Sequence, residues 1–427
     1  MRDEAITAIN CTSCGAGLDI YGGGRVKTHI CGYCGTTLDA EDSYKALKKF
    51  TDAPRPNSPF SLGMKGEIFG VEFTIIGTLG VEERWGHEHW QWVEHQIYSP
   101  THGYAWLNVE DGGHLTLSRK IRSAPSPAFV DEHRINIAET KPTASFDGDF
   151  YTYFESGRRT IYFAEGEFNW TPKANATSST VSFAANDLML TYVETATERE
   201  IEQSRYLEAG PVYASFGAKP MRQRGVHVLQ NYKRTAGEGL RSLVAGALAI
   251  LCFVFAAQMN VGKERIIDNY QSPFMAFPLS IPFTVTNADH LVQVRVWSDV
   301  SNSWAEFDIE IIDPEDQVLF ETSRGVEYYS GYDDGNWSEG SRTTTLTFRP
   351  TFPGAYELTL SSPVSEVDWP AGRRASRVKI WIDEGIRSVR WLVAAGVLLV
   401  LLAALPIIRR VVHQRRRWSG TDWTDDE

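Results

Sequence analysis

An uncharged run at residues 242–262 (SLVAGALAILCFVFAAQMNVG) constrains this chain more than any other feature. At about 1.5 Å of rise per residue it reaches roughly 30 Å, the thickness of a bilayer's hydrocarbon core. Nine of its residues are Leu, Ile, Val or Phe, and each favours insertion by about 0.3–0.6 kcal/mol. Their sum, roughly −3 to −5 kcal/mol, outweighs the cost of Gln258 near one end. A core helix of a globular domain would be shorter or would carry a polar stripe. A second run, 391–408, has the same character. Two membrane-spanning helices are expected, and they sort the rest of the chain by compartment.

The 427 residues suffice for two or three domains. A net charge of −12 disfavours a general nucleic-acid coat, which needs a basic surface. Met1-Arg2-Asp3-Glu4 is not a basic start followed by an apolar stretch, so no cleavable signal peptide is expected. Aromatic residues make up 12% of the chain, and Gly, Thr and Ser punctuate short apolar runs. That mixture favours β-structure over helical bundles. Four of the five cysteines precede residue 35 and the fifth, Cys252, lies in the first apolar run. The segment between the two runs has none, so it must hold together without disulfides.

Cys11 and Cys14, then Cys31 and Cys34, form two C-x2-C pairs sixteen residues apart. This is zinc-ribbon spacing. The halves repeat: Cys14-Gly15-Ala16-Gly17-Leu18 matches Cys34-Gly35-Thr36-Thr37-Leu38. Each pair bends so that its thiolates converge, and the following Gly takes a backbone conformation other residues resist. Four thiolates close a tetrahedral site with no open position, so a structural Zn2+ is expected. Gly22-Gly23-Gly24 is expected to turn a hairpin joining 18–21 to 26–30, and 45–50 to end a short helix. A thioredoxin-like redox pair would need one C-x2-C within a βαβ unit, which is missing. Nucleic-acid binding would rest on Arg25, Lys27, His29, Lys45, Lys48 and Lys49, a patch that a solvated charged face explains equally well. The ribbon with its helix is assigned to 1–50 and a proline-rich linker to 51–59.

From residue 60 the pattern becomes short alternating runs at 65–69, 72–76, 90–98, 104–109 and 114–118, separated by glycines. Further runs follow at 150–155, 160–165, 180–184 and 187–194. A charged stretch at 197–207 is expected as a short helix or hinge, and 212–216 as a last strand. This predicts a β-meander closed into a small barrel or sandwich over 60–217. Five of the ten histidines fall between His87 and His114. His87 and His89 share a strand face, and with Glu94, His95 or His102 they form a candidate metal set. An exposed loop carrying surface histidines is the simpler expectation. No Gly-x-Ser-x-Gly elbow, phosphate-cradling Gly-Lys-Ser/Thr loop or His-Glu-x-x-His helix occurs. The carboxylates Glu165 and Glu167 pair on a strand, as strands often allow.

One set of residues in this stretch carries a resemblance. Gly63-Met64-Lys65-Gly66 leads into Gly70-Val71-Glu72-Phe73-Thr74-Ile75-Ile76-Gly77. Trp92-Val93-Glu94, Gly103-Tyr104-Ala105-Trp106-Leu107 and Phe163-Ala164-Glu165-Gly166-Glu167-Phe168-Asn169-Trp170 follow. Over roughly residues 58–217 the chain resembles the bacterial domain of unknown function 4178. That family carries no agreed catalytic residues, so the resemblance implies none here.

Segment 218–241 gathers Lys219, Arg222, Arg224, Lys233, Arg234 and Arg241 ahead of the first apolar run, as a membrane anchor would. Residues 263–388 alternate in short runs with turns between them, predicting a β-sandwich. Within it, 347–350 and 353–358 resemble the last hairpin of jelly-roll modules. Asp333, Asp334 and Glu339 mark an acidic loop that lacks the glycine and distal glutamate of an EF-hand. The 409–427 tail is basic, then acidic. Basic flanks outside both runs place both termini in the cytoplasm and 263–388 outside. The expected protein is mainly β, a two-pass protein of the bacterial inner membrane, and the bilayer is its first partner. Its expected role is non-enzymatic, an adaptor or sensor holding protein partners that the sequence does not name. The alternatives are a metal-dependent enzyme in the cytoplasmic β domain and a tethered nucleic-acid binder.

Overall fold

The computed structural model describes residues 7–22, 26–50, 53–85, 88–110, 112–259, 263–333, 335–367 and 372–423. Gly23, Gly24 and Arg25 of the expected hairpin, His87, Asp334, residues 51–52 and 260–262, and the last four residues of the acidic tail lie outside them. The chain forms two compact units. One comprises Met1–Arg234 with Ile407–Glu427, the other Thr235–Pro406.

The first unit is almost entirely β. Its strands are β1 (Thr7–Asn10), β2 (Gly17–Ile20), β3 (Thr28–Ile30), β4 (Thr36–Asp39), β5 (Lys45–Lys49), β6 (Lys65–Ile68), β7 (Val71–Trp85), β8 (Glu88–Ser99), β9 (Gly103–Val109) and β10 (Leu115–Lys120). After the short helix α1 (Glu132–Asn136) come β11 (Thr143–Phe146), β12 (Asp149–Phe168), β13 (Thr177–Ala184), β14 (Leu188–Glu194), β15 (Arg199–Leu207) and α2 (Ala209–Ser215). Hydrogen bonding runs in the order β12, β13, β14, β15, β10, β9, β8, β7, and β7 pairs with β12 again. The ladder path through these eight strands therefore returns to its start.

β12 makes this possible by its length, changing partners along its course. Thr152 to Thr160 pair with β13, Ile161 to Gly166 with β7, and Gly166 to Phe168 with β3. Gly77 and Gly166 face each other where the three strands cross. Gly166 has φ +86°, and a Cβ there would strike the carbonyl of Ile76. A Cβ on Gly77 would lie 2.6 Å from the Glu167 carbonyl oxygen. Only glycine fits such a crossing.

One face of this sheet is apolar and covered in two places. Phe73, Ile75, Val93, Ile97, Leu107 and Leu115 pack under Phe60 and α2. Tyr151, Tyr153, Phe183, Leu190 and Tyr192 pack under α1 and the segment before it. Each such side chain contributes about 1.5–3 kcal/mol by its burial. The opposite face carries Glu94, Asn108, Thr116, Ser118, Ser204 and Arg159.

Several expectations are corrected. Lys45–Lys49 is a strand on an open edge, where lysines block further pairing, and no helix forms at 45–50. β2 returns on β1 and β3 on β4, so each hairpin spans one cysteine pair and 18–21 does not pair with 26–30. The charged stretch 197–207 is the regular strand β15, and 212–216 belongs to α2. The spacing of buried Ala209, Val212, Tyr213 and Phe216 is helical. The proline-rich segment is no free tether: Ser58 Oγ lies 2.7 Å from His95 Nε2.

The second unit opens with α3 (Glu238–Met259), whose Glu238 reaches back to accept from the Thr235 amide at 2.9 Å. Nine strands follow: β16 (Glu264–Pro273), β17 (Leu279–Val285), β18 (Leu291–Ser298), β19 (Ser303–Ile312), β20 (Val318–Tyr332), β21 (Asn336–Ser341), β22 (Thr343–Phe348), β23 (Gly354–Glu366) and β24 (Arg377–Ile386). Then comes α4 (Arg390–Arg417). The sheets β16-β24-β18-β22 and β17-β23-β19-β20-β21 enclose one core, with Ile281, Val294, Phe307, Ile309, Leu358 and Ile380 buried inside. This is a two-sheet sandwich. The 347–358 stretch is not a hairpin, because β22 and β23 belong to different sheets and the chain arches between them. Tyr356 locks the arch by donating to the Phe352 carbonyl at 2.8 Å, as a tyrosine corner does.

α3 and α4 have 22 and 28 residues and are apolar enough to cross a membrane. Gly396 of α4 lies against the ring of Phe253 in α3, and a Cβ there would approach the ring to 2.8 Å. α4 contains Pro406, and the two compact units divide just after it.

Where α3 gives way to β16, the buried carboxylate of Asp383 in β24 collects three cations. Lys263 Nζ is at 3.1 Å, Arg265 Nε at 3.0 Å and an Arg295 nitrogen at 2.9 Å. Burial raises the Asp383 pKa. Hydrogen bonds from Arg265 and Lys263, with the charges of Lys263 and Arg295, outweigh this and hold it below its ordinary value. A depressed carboxyl stabilises the fold above its unfolded pKa, about 3.9, and loses that contribution as pH falls through the lower folded value. Thermal melts of the full chain in detergent should therefore show this unit weakening below about pH 4, and Asp383→Asn should flatten that dependence. An unchanged acid profile in the variant would contradict the assignment.

Candidate metal centre and the polar face beside it

The repeat Cys-x-x-Cys-Gly is a repeat of structure. The Cys11 amide donates to the Ala16 carbonyl and the Gly15 amide to the Cys11 carbonyl, both at 2.8 Å. In the second copy, the Cys31 amide donates to Thr36 at 3.0 Å and the Gly35 amide to Cys31 at 2.8 Å. Gly15 and Gly35 have φ +77° and +67°, as each knuckle requires. The four sulfurs lie within 4.8 Å of one another. Cys11 and Cys34 are 3.8 Å apart and Cys14 and Cys31 3.9 Å. A tetrahedral ion with metal–sulfur bonds of about 2.3 Å sets sulfur–sulfur edges of roughly 3.8 Å. The set therefore fits one metal ion. Burial pushes the Cys31 thiol up to about 12. Burial also raises Cys34, but hydrogen bonds with Thr36 overcome it and bring that thiol down to about 6.

The ribbon is built into the sheet beside it. β3 pairs with the end of β12, and Glu167, 1% exposed, accepts from the Tyr21 and Gly22 amides at 2.6 Å each. Burial pushes its carboxyl up to about 7 against the pull of those two donors. Glu165, also buried, receives Arg55 Nε at 2.7 Å. Thus Glu165 and Glu167 are docking groups. Glu167→Ala strands two buried amides, at about 1–3 kcal/mol. Hydrogen exchange at Tyr21 and Gly22 should accelerate while the four cysteines still bind one metal. Unaltered exchange would count against this docking role.

The polar face has its own centre. Arg159 of β12 reaches Glu94 of β8 at 3.3 Å and Glu202 of β15 at 3.8 Å. Neither strand is its neighbour in the sheet, so these side chains link strands that the ladder keeps apart. Asn108 donates to Thr116 at 3.1 Å and to Ser118 at 2.7 Å, and Thr116 donates to Glu110 at 3.0 Å. Lost hydration lifts the Glu110 carboxyl to about 7, opposed by Thr116 and assisted by Glu94. Beside it, His114 contacts the Tyr206 hydroxyl at 3.1 Å and the Arg224 carbonyl at 2.9 Å.

Among the described residues the histidine set does not assemble, and His87 lies outside them. His89 is exposed and lies 2.9 Å from Glu82. His95 is buried between Ser58 and Thr78, and loss of hydration with the nearby charge of Arg55 brings its pKa down to about 3. His102 lies 2.8 Å from Thr101, and Glu94 is engaged by Trp92 and Arg159. Among the described residues only the four cysteines converge as metal ligands. The acidic loop becomes the turn between β20 and β21, with Glu339 already inside β21.

Residues 61–209 match the family described as Domain of unknown function (DUF4178). The matched segment includes β6 to β15, so the ring of strands and the crossing glycines Gly77 and Gly166 lie within it. No curated protein matches the chain. Among solved structures, an insecticidal delta-endotoxin from Bacillus thuringiensis aligns at 9% identity and a TM-score of 0.13, covering 73% of this chain. The chain spans about half, 53%, of that protein. Infectious bursal disease virus, Gt strain, aligns at 9% identity and a TM-score of 0.17, covering 84% of this chain and 67% of that one. TM-scores this low carry no fold or function across.

Sequence reasoning missed Arg159, Glu110 and Glu202. The readable signal was a charged group in mid-strand within Ser156-Gly157-Arg158-Arg159-Thr160, where β12 runs on without a turn.

Proposed function

We propose that the chain is a non-enzymatic, membrane-anchored adaptor or sensor with binding modules on both faces of a bacterial inner membrane. In this reading α3 and α4 span the bilayer, both termini are cytoplasmic, and the 263–388 sandwich is extracytoplasmic. The ring of DUF4178 strands is a small β-barrel, and the cysteines hold structural zinc. With the ion bound, it would fix both knuckles against each other without offering an open coordination position.

The observation that carries the reading is the return of the chain's end to its beginning. Arg417 is 7% exposed and donates to the Val228 carbonyl at 2.7 Å. Thr421 donates to the Phe154 carbonyl at 2.6 Å, and Asp422 accepts from the Ser156 amide at 2.9 Å. The Trp423 ring packs edge-on to Tyr153 at 6.0 Å. The segment before α3 and the segment after α4 thus belong to one compact unit, as two crossings require. Charge agrees. Lys233 and Arg234 precede α3 and Arg241 lies in its first turn, all ahead of the apolar run, and Arg409, Arg410, Arg415 and Arg416 lie toward the end of α4. On the opposite side Lys263 and Arg265 are engaged by Asp383.

Protease added to intact spheroplasts should remove 263–388 and spare the first 240 residues. Protection of 263–388 with digestion of the ribbon would reverse every compartment assigned here.

A further inference from the structure

One exposed aromatic has no role in the features above. β11 and β12 turn through Asp147 and Gly148, with φ +51° and +85°, the geometry of a tight hairpin. Just beyond the turn, Phe150 is 83% exposed. It borders a cleft of about 400 Å³ whose far wall is Gln414, Arg417 and Trp418 of the first unit's C-terminal segment.

That wall fixes the depth of the hairpin. Gln414 follows Val412 by two residues and Ile408 by six. Along a helix this places it about 3 Å beyond the former and about 9 Å beyond the latter. The polar layer on each side of a bilayer is roughly 5–8 Å thick. If α4 spans the membrane, Gln414 lies within the headgroup layer or at its outer edge, and Phe150 borders the same cleft. Asp147 and Asp149 sit at the turn itself, while the surroundings supply cations that suit an anionic surface: Arg415 and Arg416 are exposed, and Lys141 Nζ lies 5.0 Å from the centre of the Trp418 ring. Aromatic and aliphatic side chains backed by basic residues are what interfacial segments insert.

We propose that the β11–β12 hairpin is a lipid contact, with Phe150 entering the headgroup–acyl boundary of the bilayer that α4 crosses. The proposal rests on the membrane-spanning reading, and its test separates the two. The full chain is reconstituted into vesicles of phosphatidylethanolamine and phosphatidylglycerol with a benzophenone amino acid replacing Phe150, Leu401 or Tyr33 in turn. Leu401 is an exposed residue of α4. Tyr33 is 78% exposed on the second knuckle, beside the strand that pairs with the far end of β12. Sixteen residues of strand, roughly 50 Å, separate that end from Phe150. After illumination, a mass shift of one phospholipid is expected at positions 150 and 401 and not at 33. Lipid captured at 401 but not at 150 would overturn this inference and leave the spans standing. No lipid at either would remove the membrane reading, and this proposal with it. A protein adduct at 150 would also overturn it, by showing that a partner covers the hairpin.

Discussion

Cys31→Ser is expected to abolish metal binding and release the ribbon from the sheet. The ribbon's own core is only Cys11, Leu18, Cys31 and Leu38 with a few flanking side chains, too small to fold by burial alone. A structural zinc supplies an apparent 10–16 kcal/mol, roughly, to such a module at neutral pH. Cys31 is 1% exposed and anchors a knuckle, so the variant loses a ligand and the turn that ligand closes. The loss spreads further than a tethered ribbon would allow, because Ile30 and His29 pair with Gly166 and Glu167 of β12. Metal analysis should find one zinc per wild-type chain and none in the variant. Exchange at Thr28 to Ile30 should rise, while β13 and β14 stay protected. Wild-type chain folded without metal would end this reading.

The second large effect is expected at Arg159. Its side chain is 22% exposed, and those of Glu94 and Glu202 are 13% and 17% exposed. Arg159→Ala leaves both carboxylates largely out of water with no cation between them, and removing one partner of such a group costs about 3–5 kcal/mol. Replacing the triad together, Arg159→Met with Glu94→Gln and Glu202→Gln, should recover most of the loss, since no uncompensated charge remains. Denaturant unfolding distinguishes the two variants. Wild-type stability in Arg159→Ala would mean that water, not the guanidinium, satisfies these carboxylates.

What could be read in the sequence follows from the range of each signal. The cysteine spacing and the two long apolar runs are local patterns, and both reappear as a converging thiol set and two long apolar helices. Alternation revealed β8, β9, β13 and most of the sandwich, because one face of each strand is apolar. It failed at β15, whose Glu200, Glu202 and Ser204 line the polar space and mimic a solvated segment. The role of Glu167 was invisible because its donors lie 145 and 146 residues away. The docking of the tail spans 266 to 269 residues, and a run reading as basic then acidic gave no sign of it. Glu165 and Glu167 have the spacing of an ordinary strand pair, and their partners, Arg55 and the Tyr21 and Gly22 amides, lie far off in sequence.

The ladder between β16 and β24 has a mechanical consequence for the sandwich. The strand that leaves α3 is bonded side by side to the strand that leads into α4, from Glu264 opposite Glu384 to Pro273 opposite Arg377. Paired strands sit about 4.8 Å apart and do not spread without breaking hydrogen bonds. Packed helices stand about 8–10 Å apart, and the Gly396–Phe253 contact holds this pair close. The helices therefore cannot open like scissors in response to an event on the sandwich. What is left to them is to tilt, turn or slide as a single rod.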